Sequence, residues 1–169
     1  MKTGFKPHKS IMSKLDRWRA EGTKRGVDTM ADLTRGTIVT HTAEEAAHLS
    51  GILAHHAAKY DVKEYGEDKA FGYYGSHHLD LRLPSGHVSE VQVMPAALFH
   101  AKHALHKIYS AQRDDFEKGI DNPMMQRQRR LSKLGYQIAN KRLPAPANPN
   151  VRTALVKATD GRFDFGKIA

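Results

Sequence analysis

The sequence contains no cysteine and no long apolar segment. Disulfide bonds, thiolate chemistry and Cys-ligated zinc are therefore excluded, and this absence is consistent with action in the cytosol. No stretch approaches the ~20 apolar residues that cross a bilayer, and the first residues lack the apolar core of a signal peptide. We expect no membrane partner and a cytoplasmic site of action, with delivery into a target cell as a variant of it.

The length and the charge indicate a globular domain with an anionic partner. The 169 residues are 40% hydrophobic, which suits one domain with a substantial core. Lys and Arg number 27 against 18 Asp and Glu, so the formal net charge is +9. An excess of this size favours nucleotides, RNA, DNA or an anionic membrane surface, without choosing among them.

The residue patterns predict helices combined with a hairpin. Thr42 and Glu45 have capping-box spacing, and residues 78–83 and 88–93 alternate apolar and polar side chains around a Pro-Ser-Gly-His turn. Helices are predicted at 10–19, 42–60, from 95 onward and at 124–141, with a further strand at 32–40 and an irregular tail at 143–150. The order predicts an α/β (α+β) domain with a mixed β-sheet flanked by helices. Residues 1–120 would form the core, and the basic helix and tail at 121–169 would pack on the same domain.

Two segments near the N-terminus suit phosphate chemistry. Transfer of a phosphoryl or pyrophosphoryl group needs cations on the polyphosphate and a divalent metal held by carboxylates. Lys14 and Arg17 share a helix face, and Lys6 precedes that helix, so the three can bind a triphosphate. Asp32, at the start of the predicted strand, can hold Mg²⁺. Taken singly, these residues are explained better by a solvated basic face and by a turn aspartate paired with a nearby charge.

Two later segments could serve the acceptor. Glycines flank Tyr73 and Tyr74, which allows close backbone approach and leaves a ring available to stack on a base. Glu90 lies on the polar face of a predicted strand, where its carboxylate could share a metal with Asp32 or take a proton from an attacking hydroxyl. The alternatives are a loop of packed aromatic rings and an ordinary outward-facing Glu90–Gln92 pair.

Taken together, the four segments resemble the synthetase domain of the RelA/SpoT family, over residues 6 to about 110. Glu90 precedes His106 by sixteen residues, the spacing associated with that family. The residues in register with the family motifs are Lys6, Ser10, Ile11, Lys14, Leu15, Asp32, Leu33, Lys69, Gly72, Tyr73, Gly75, His77, Glu90, Gln92, His106 and Tyr109. Each motif is short, so the order and spacing carry the resemblance.

The resemblance implies a nucleotidyltransferase-like synthetase fold and an ATP-dependent pyrophosphokinase. The β,γ-pyrophosphate of ATP would pass to the 3′-hydroxyl of a purine nucleotide, giving an alarmone of the ppGpp, pppGpp or ppApp type. Asp32 and Glu90 would be catalytic and hold Mg²⁺, with Glu90 also a candidate base, and Tyr73 would stack on the acceptor base. The nucleotide-binding residues would be Lys6, Ser10, Lys14, Arg17, Arg35, Lys69, Tyr73, His77, Gln92 and His106.

Departures from the family pattern leave the acceptor open. Several arginines of the motifs are replaced, and Arg35 lies two positions before the expected one. The substituted positions are Gly4, Thr37, Tyr74, Met94, Pro95 and Leu105. A tRNA 3′ end is an alternative acceptor, since the +9 charge and the basic helix at 124–141 suit an RNA backbone. A catalytically degenerate module that binds a nucleotide or RNA is another. The pattern is compatible both with a stand-alone synthetase and with the toxin domain of a larger protein. We therefore also expect an immunity protein or a second copy of the chain as a partner.

The histidines raise a zinc alternative. His100, His103 and His106 recur every three residues on the predicted helix. Successive steps of three drift around a helix, so the three rings would not converge on one ion. Zinc sites also usually include a carboxylate or Cys. We therefore expect Mg²⁺ at the site, with zinc as the minor alternative.

Overall fold

A computed structural model describes residues 2–57, 63–65, 76–117, 122–140 and 144–168. The strands are β1 (Lys2–Phe5), β2 (Thr34–Thr40), β3 (Lys63–Tyr65), β4 (His77–Arg82) and β5 (Val88–Pro95). The helices are α1 (His8–Ala20), α2 (Ala43–Ala57), α3 (Ala96–Glu117), α4 (Pro123–Ala139), α5 (Pro149–Ala158) and α6 (Phe165–Ile168), with two short 3₁₀ turns at Val27–Thr29 and Ala31–Leu33. None of the described helices is both long and apolar enough to cross a membrane.

The chain divides into two compact units. The first comprises Met1–Gly66 and Ser76–Met94, and the second Glu67–Gly75 and Pro95–Ala169. Helix α3 thus belongs to the second unit, whereas the sequence analysis grouped it with the N-terminal core.

The first unit is built on a five-stranded sheet of order β1-β2-β5-β4-β3. The pairs β1–β2, β3–β4 and β4–β5 are antiparallel. Thr34 and Ser89, at the start of β2 and β5, place their hydroxyl oxygens 2.5 Å apart. These neighbouring strands therefore begin at the same end of the sheet and run in parallel. The mixed sheet and the fold class predicted from the sequence are confirmed.

Helix α2 covers one face of this sheet. Ala46 on the helix and Leu79 and Val93 on the strands are fully buried together. The predicted capping box starts the helix, because the Glu45 amide donates to the Thr42 hydroxyl (3.1 Å) and the Thr42 amide to the Glu45 carboxylate (3.3 Å). Since side chains alternate along a strand, the residues between the buried ones lie on the opposite face.

The second unit is helical, and its helices meet at close-packed positions. Gly135 of α4 faces Leu105 of α3 and Phe163, both of which are buried. A methyl group at Gly135 would approach Leu105 Cδ1 and Phe163 Cε2 to 2.9 Å. At this distance the neighbouring side chains would have to shift, so the small residue allows the helix to approach.

Two glycines in helices should therefore respond oppositely to alanine. Gly135→Ala should lower the free energy of unfolding by up to about 2 kcal/mol, because overpacking costs about 1–3 kcal/mol against the ~1 kcal/mol gained in helix propensity. Gly51→Ala, inside α2 with no atom within 4 Å of the added methyl, should raise it by about 0.5–1 kcal/mol. Urea denaturation of both variants measures the difference. Equal shifts of the same sign would contradict the packing at Gly135.

Three local predictions from the sequence need correction. Strand β2 begins at Thr34, and Asp32 lies before it in a 3₁₀ turn. The expected irregular tail ends at Asn148, whose side-chain oxygen accepts a hydrogen bond from the Asn150 amide and caps α5. Proline at the first helical position pre-sets the backbone for that helix, so Asn-Pro begins a helix here. Strand β1 and helices α5 and α6 were not predicted.

Candidate functional site

Two lysines converge on Asp32. The Lys6 ammonium hydrogen-bonds Oδ2 of Asp32, and Lys14 Nζ lies 2.6 Å from Oδ1. The three side chains are only 12%, 23% and 17% exposed for Lys6, Lys14 and Asp32. The sequence predicted that the lysines bind a triphosphate and the aspartate a metal, whereas in the structure the lysines pair with the aspartate.

Backbone pairing and an aromatic ring position these cations. Strand β1 pairs with β2 so that Phe5 lies opposite Thr34, and the Lys6 amide donates to the Leu33 carbonyl at 2.9 Å. This holds Lys6 beside the turn that carries Asp32. Lys14 reaches the same carboxylate from α1, with its Nζ 5.1 Å from the ring centroid of the buried Trp18. A cation over an aromatic face is stabilised electrostatically, so Trp18 helps to orient Lys14.

The cluster carries an excess of positive charge. Burial alone would raise the pKa of the Asp32 carboxyl, but the hydrogen bonds from Lys14 and Lys6 outweigh it and hold that pKa below its usual value. The pKa of the Lys6 ammonium is lowered, first by burial and then by repulsion from Lys14 and Arg35, despite the attraction of Asp32. One carboxylate therefore does not balance the nearby cations, and a bound anion would relieve the imbalance.

A second group of polar side chains lies on the sheet face opposite α2. In the β4–β5 register Asp80 lies opposite Glu90 and His78 opposite Gln92. The Gln92 amide donates to Oε1 of Glu90, and His78 Nδ1 lies 3.8 Å from the same oxygen. Gln92 is buried and the Glu90 side chain is 18% exposed, so its carboxylate is held in place on a half-buried surface.

Asp32 and Glu90 lie at the same end of adjacent strands. Thr34 and Ser89 are in register, with Asp32 two residues before the first and Glu90 directly after the second. Thr34 and Ser89 lie on the sheet face that α2 covers. Arg35 and Glu90 directly follow them, so both lie on the opposite, polar face. Carboxylates and cations are thus concentrated at one end of these two strands.

Solved structures with this arrangement of elements identify the fold. A GTP pyrophosphokinase family protein from Streptococcus pneumoniae is 16% identical, with a TM-score of 0.58 over 94% of this chain and 77% of that one. Small alarmone synthetase 2 from Bacillus subtilis is 19% identical, with a TM-score of 0.55 over 94% and 80%. The chain has the RelA/SpoT-type synthetase fold. Small alarmone synthetase 1 from Bacillus subtilis, also solved with its product pppGpp, matches with a TM-score of 0.52 at 19% identity, over 92% and 79%.

These likenesses are structural. No family model matches the sequence, and no curated protein matches it. At 16–19% identity the comparisons establish the synthetase fold that the residue motifs predicted, and they leave the reaction to be inferred from this chain's own residues.

The first unit of the synthetase fold brings most of the predicted residues together. Lys6, Lys14 and Asp32 are in contact, Gln92 contacts Glu90, and Arg35 acts electrostatically on Lys6. Ser10 and Arg17 lie on α1, four residues before and three after Lys14. They therefore share its side of the helix.

For the remaining predicted residues, the structure describes no contact with Asp32 or Glu90. His77 alternates with His78 and lies on the α2 face with Leu79, away from the face of Glu90. His106 belongs to the second unit, where its Nδ1 is 3.4 Å from the Ser110 hydroxyl. Lys69 and Tyr73 lie outside the described residues, so their roles stay predictions.

The structure adds two side chains that were not among the predicted site residues. His78 and Asp80 share the polar face with Glu90. Alternation along residues 78–83 already placed both on that face, but the family motif drew attention to His77 instead. The pattern of the strand was the better guide, because a half-buried strand fixes which side chains share a face.

The carboxylates present fit Mg²⁺ in kind. No group of three or more His, Asp or Glu side chains that could hold a metal occurs among the described residues, which include the zinc candidates His100, His103 and His106. Mg²⁺ is commonly held by one or two carboxylates together with substrate phosphates. Asp32 and Glu90 could supply the carboxylates. Both oxygens of Asp32 are taken by lysines here, so a metal could bind them only if the lysines moved to another anion.

The ion pairs of Asp32 should make the free energy of unfolding depend on pH in the acid range. The folded-state pKa of Asp32 is depressed, so its contribution is complete above the unfolded-state value of ~3.9 and is lost as pH falls through the lower folded-state pKa. Asp32→Asn should therefore cost about 1–3 kcal/mol of unfolding free energy between pH 5 and 7, and less below about pH 4. Urea denaturation from pH 3 to 7 measures this, and a constant cost across the range would contradict it.

Proposed function

We propose that the chain is an ATP-dependent pyrophosphokinase that transfers the β,γ-pyrophosphate of ATP to the 3′-hydroxyl of a purine nucleotide. The observation that carries the proposal is the convergence of Lys6 and Lys14 on Asp32 at the strand edge where Glu90 also lies. The synthetase fold supports it, since the solved neighbours are alarmone synthetases and a GTP pyrophosphokinase family protein.

The donor side follows from the charge of the lysine cluster. A triphosphate would replace Asp32 as the partner of Lys6 and Lys14, and Arg35 would add a third cation. The released Asp32 would hold Mg²⁺ together with Glu90. That ion, when bound, supplies further neutralisation of the polyphosphate. Charge stabilisation of this kind is the main part of catalysis in such transfers.

The acceptor side follows from Glu90. Its carboxylate would accept the proton of the 3′-hydroxyl as that oxygen attacks the β-phosphorus, while the bond from the β-phosphorus to the bridging oxygen of the α-phosphate breaks. AMP leaves, and the proton passes from Glu90 to solvent. Gln92 holds the carboxylate in position through its amide. We also propose that Lys69 and His106 contact phosphates and that Tyr73 stacks on the base.

The tRNA 3′ end is a second candidate acceptor. The observation that favours it is the exposed cationic surface of α4, where no acidic side chain occurs. A toxin role in the cytoplasm of a target cell, an immunity protein as partner and self-association are carried as parts of the same proposal.

The reaction and the acceptor can be tested together. The protein is incubated with Mg²⁺ and ATP labelled at the γ-phosphorus, and GDP, GTP, ADP, AMP and bulk tRNA are offered separately. Label on a mononucleotide supports alarmone synthesis and names the base, whereas label on tRNA alone supports the second candidate. No label on any acceptor would overturn the pyrophosphokinase proposal and favour a module that only binds nucleotides or RNA.

A further inference from the structure

The positive charge of the chain is concentrated near its C-terminus. Residues 122–169 contain ten Lys and Arg, two Asp and no Glu, and so carry a net charge of +8 out of the +9 of the whole chain. Helix α4 alone has three arginines and a lysine with no acidic residue. This asymmetry lies in the second unit, apart in sequence from the lysines that bind Asp32.

Both acids of this segment are already paired with lysines. Asp160 accepts from Lys107 Nζ at 2.7 Å, and Lys107 lowers the pKa of the Asp160 carboxyl. Asp164 lies 3.6 Å from Lys167 Nζ. Neither acid therefore neutralises the arginines of α4, and Arg127, Arg130 and Lys133 form no ion pair with any residue that the structure describes.

Helix α4 separates its apolar and cationic faces. Met125, Tyr136 and Ile138 are buried within the second unit. Arg127, Arg130 and Lys133 are exposed and follow one another at steps of three residues. They span ~9 Å of the helix axis at 1.5 Å per residue. A polynucleotide places several phosphates within that length.

We propose that this face of α4, defined by Arg127, Arg130 and Lys133, is a docking surface for the phosphate backbone of RNA. Arginine matches phosphate geometry with paired hydrogen bonds, and two of the three cations are arginines. A membrane surface is disfavoured, because a membrane-binding helix exposes a row of large apolar side chains. Met124 is the one large apolar side chain of α4 that is strongly exposed, at 67%.

The choice of RNA over DNA rests on the proposed function, whose acceptor is a ribose 3′-hydroxyl. The docking surface itself does not depend on pyrophosphate transfer. It can be measured without ATP or metal, and a failure to bind RNA would leave the acceptor assay on mononucleotides untouched.

The test compares the unmodified protein with three variants of the full chain, by the fluorescence anisotropy of a labelled RNA hairpin at several salt concentrations. Arg127→Gln/Arg130→Gln/Lys133→Gln should bind at least about tenfold more weakly than the unmodified protein, and the slope of log K against log salt should fall by about two to three. Arg19→Gln/Lys24→Gln/Arg25→Gln removes the same charge from exposed positions of the first unit and should retain most of the affinity. Arg127→Lys/Arg130→Lys keeps the charge but loses the paired hydrogen bonds, so its affinity should lie between those of the two triple variants. The circular dichroism spectrum and melting temperature verify the fold of each variant.

Several results would overturn the proposal. Equal losses in the two triple variants would mean that net charge alone attracts RNA. No measurable RNA binding, or RNA binding unchanged by the α4 substitutions, would remove the surface. Tighter binding to the DNA hairpin of the same sequence would reject RNA as the occupant. Binding to vesicles with 30% phosphatidylserine in place of RNA would identify a membrane surface.

Discussion

Replacing Glu90 with glutamine is expected to reduce turnover by roughly 10²–10⁴-fold, the usual contribution of a general base. The substitution keeps the size of the side chain and the position beside Gln92, so the folded structure should persist. It removes the negative charge that would accept the proton of the attacking 3′-hydroxyl. The measurement is the initial rate at saturating ATP and acceptor, with the melting temperature as the check on folding.

Magnesium titration separates the two roles of Glu90. If the carboxylate acts mainly as the base, kcat falls at every Mg²⁺ concentration, whereas a ligand role raises the Mg²⁺ concentration needed for half-maximal rate. Glu21→Gln is the matched control, because Glu21 is exposed at the end of α1 and outside the site. Unchanged turnover in Glu90→Gln, with acceptor label still formed, would refute the role assigned to this residue.

Replacing Asp32 with asparagine is expected to have opposite effects on catalysis and on phosphate binding. Turnover should fall by at least about 10²-fold, because Asp32 would no longer hold Mg²⁺. Without metal, tripolyphosphate should bind several-fold more tightly, because the carboxylate that competes for Lys6 and Lys14 has been neutralised. Isothermal titration calorimetry with tripolyphosphate and EDTA measures the second effect, and the product assay measures the first.

Two further variants keep this prediction testable. Asp28→Asn changes an exposed aspartate in the preceding 3₁₀ turn and should alter neither quantity. Lys14→Met should weaken tripolyphosphate binding, since it removes one of the two paired ammonium groups. Weaker metal-free binding in a folded Asp32→Asn protein would show that the aspartate does not compete with phosphate for the lysines.

Local sequence signals accounted for much of the fold. The capping box at Thr42 and the alternation around the turn at 84–87 predicted α2 and the β4–β5 hairpin, because both depend on neighbouring residues. Strand β1 depends instead on pairing with β2, about thirty residues away, and two of its four residues, Lys2 and Gly4, are of types depleted in strands. Helix α5 was not predicted, because the Pro-rich stretch before it favours irregular structure, although Asn148 and Pro149 form a helix start.

The sequence predicted which residues form the candidate site but not how these residues pair with one another. Motif spacing selected Lys6, Lys14, Asp32 and Glu90. The pairing of Asp32 with lysines 26 and 18 residues away is set by the β1–β2 register and by α1, which no local pattern specifies. The position of His78 on the polar face could be predicted from the alternation of apolar and polar residues alone.

The central claim, transfer of pyrophosphate as a unit, is tested most directly by comparing two labels. ATP labelled at the β-phosphorus and ATP labelled at the γ-phosphorus are supplied in parallel reactions with the acceptor that the panel identifies. We expect both labels to appear in one product in equal molar amounts, with unlabelled AMP released. Transfer of the γ-label alone would indicate an ordinary phosphoryl transfer, and transfer of neither label would indicate that the protein is not a transferase. Either result would contradict pyrophosphate transfer.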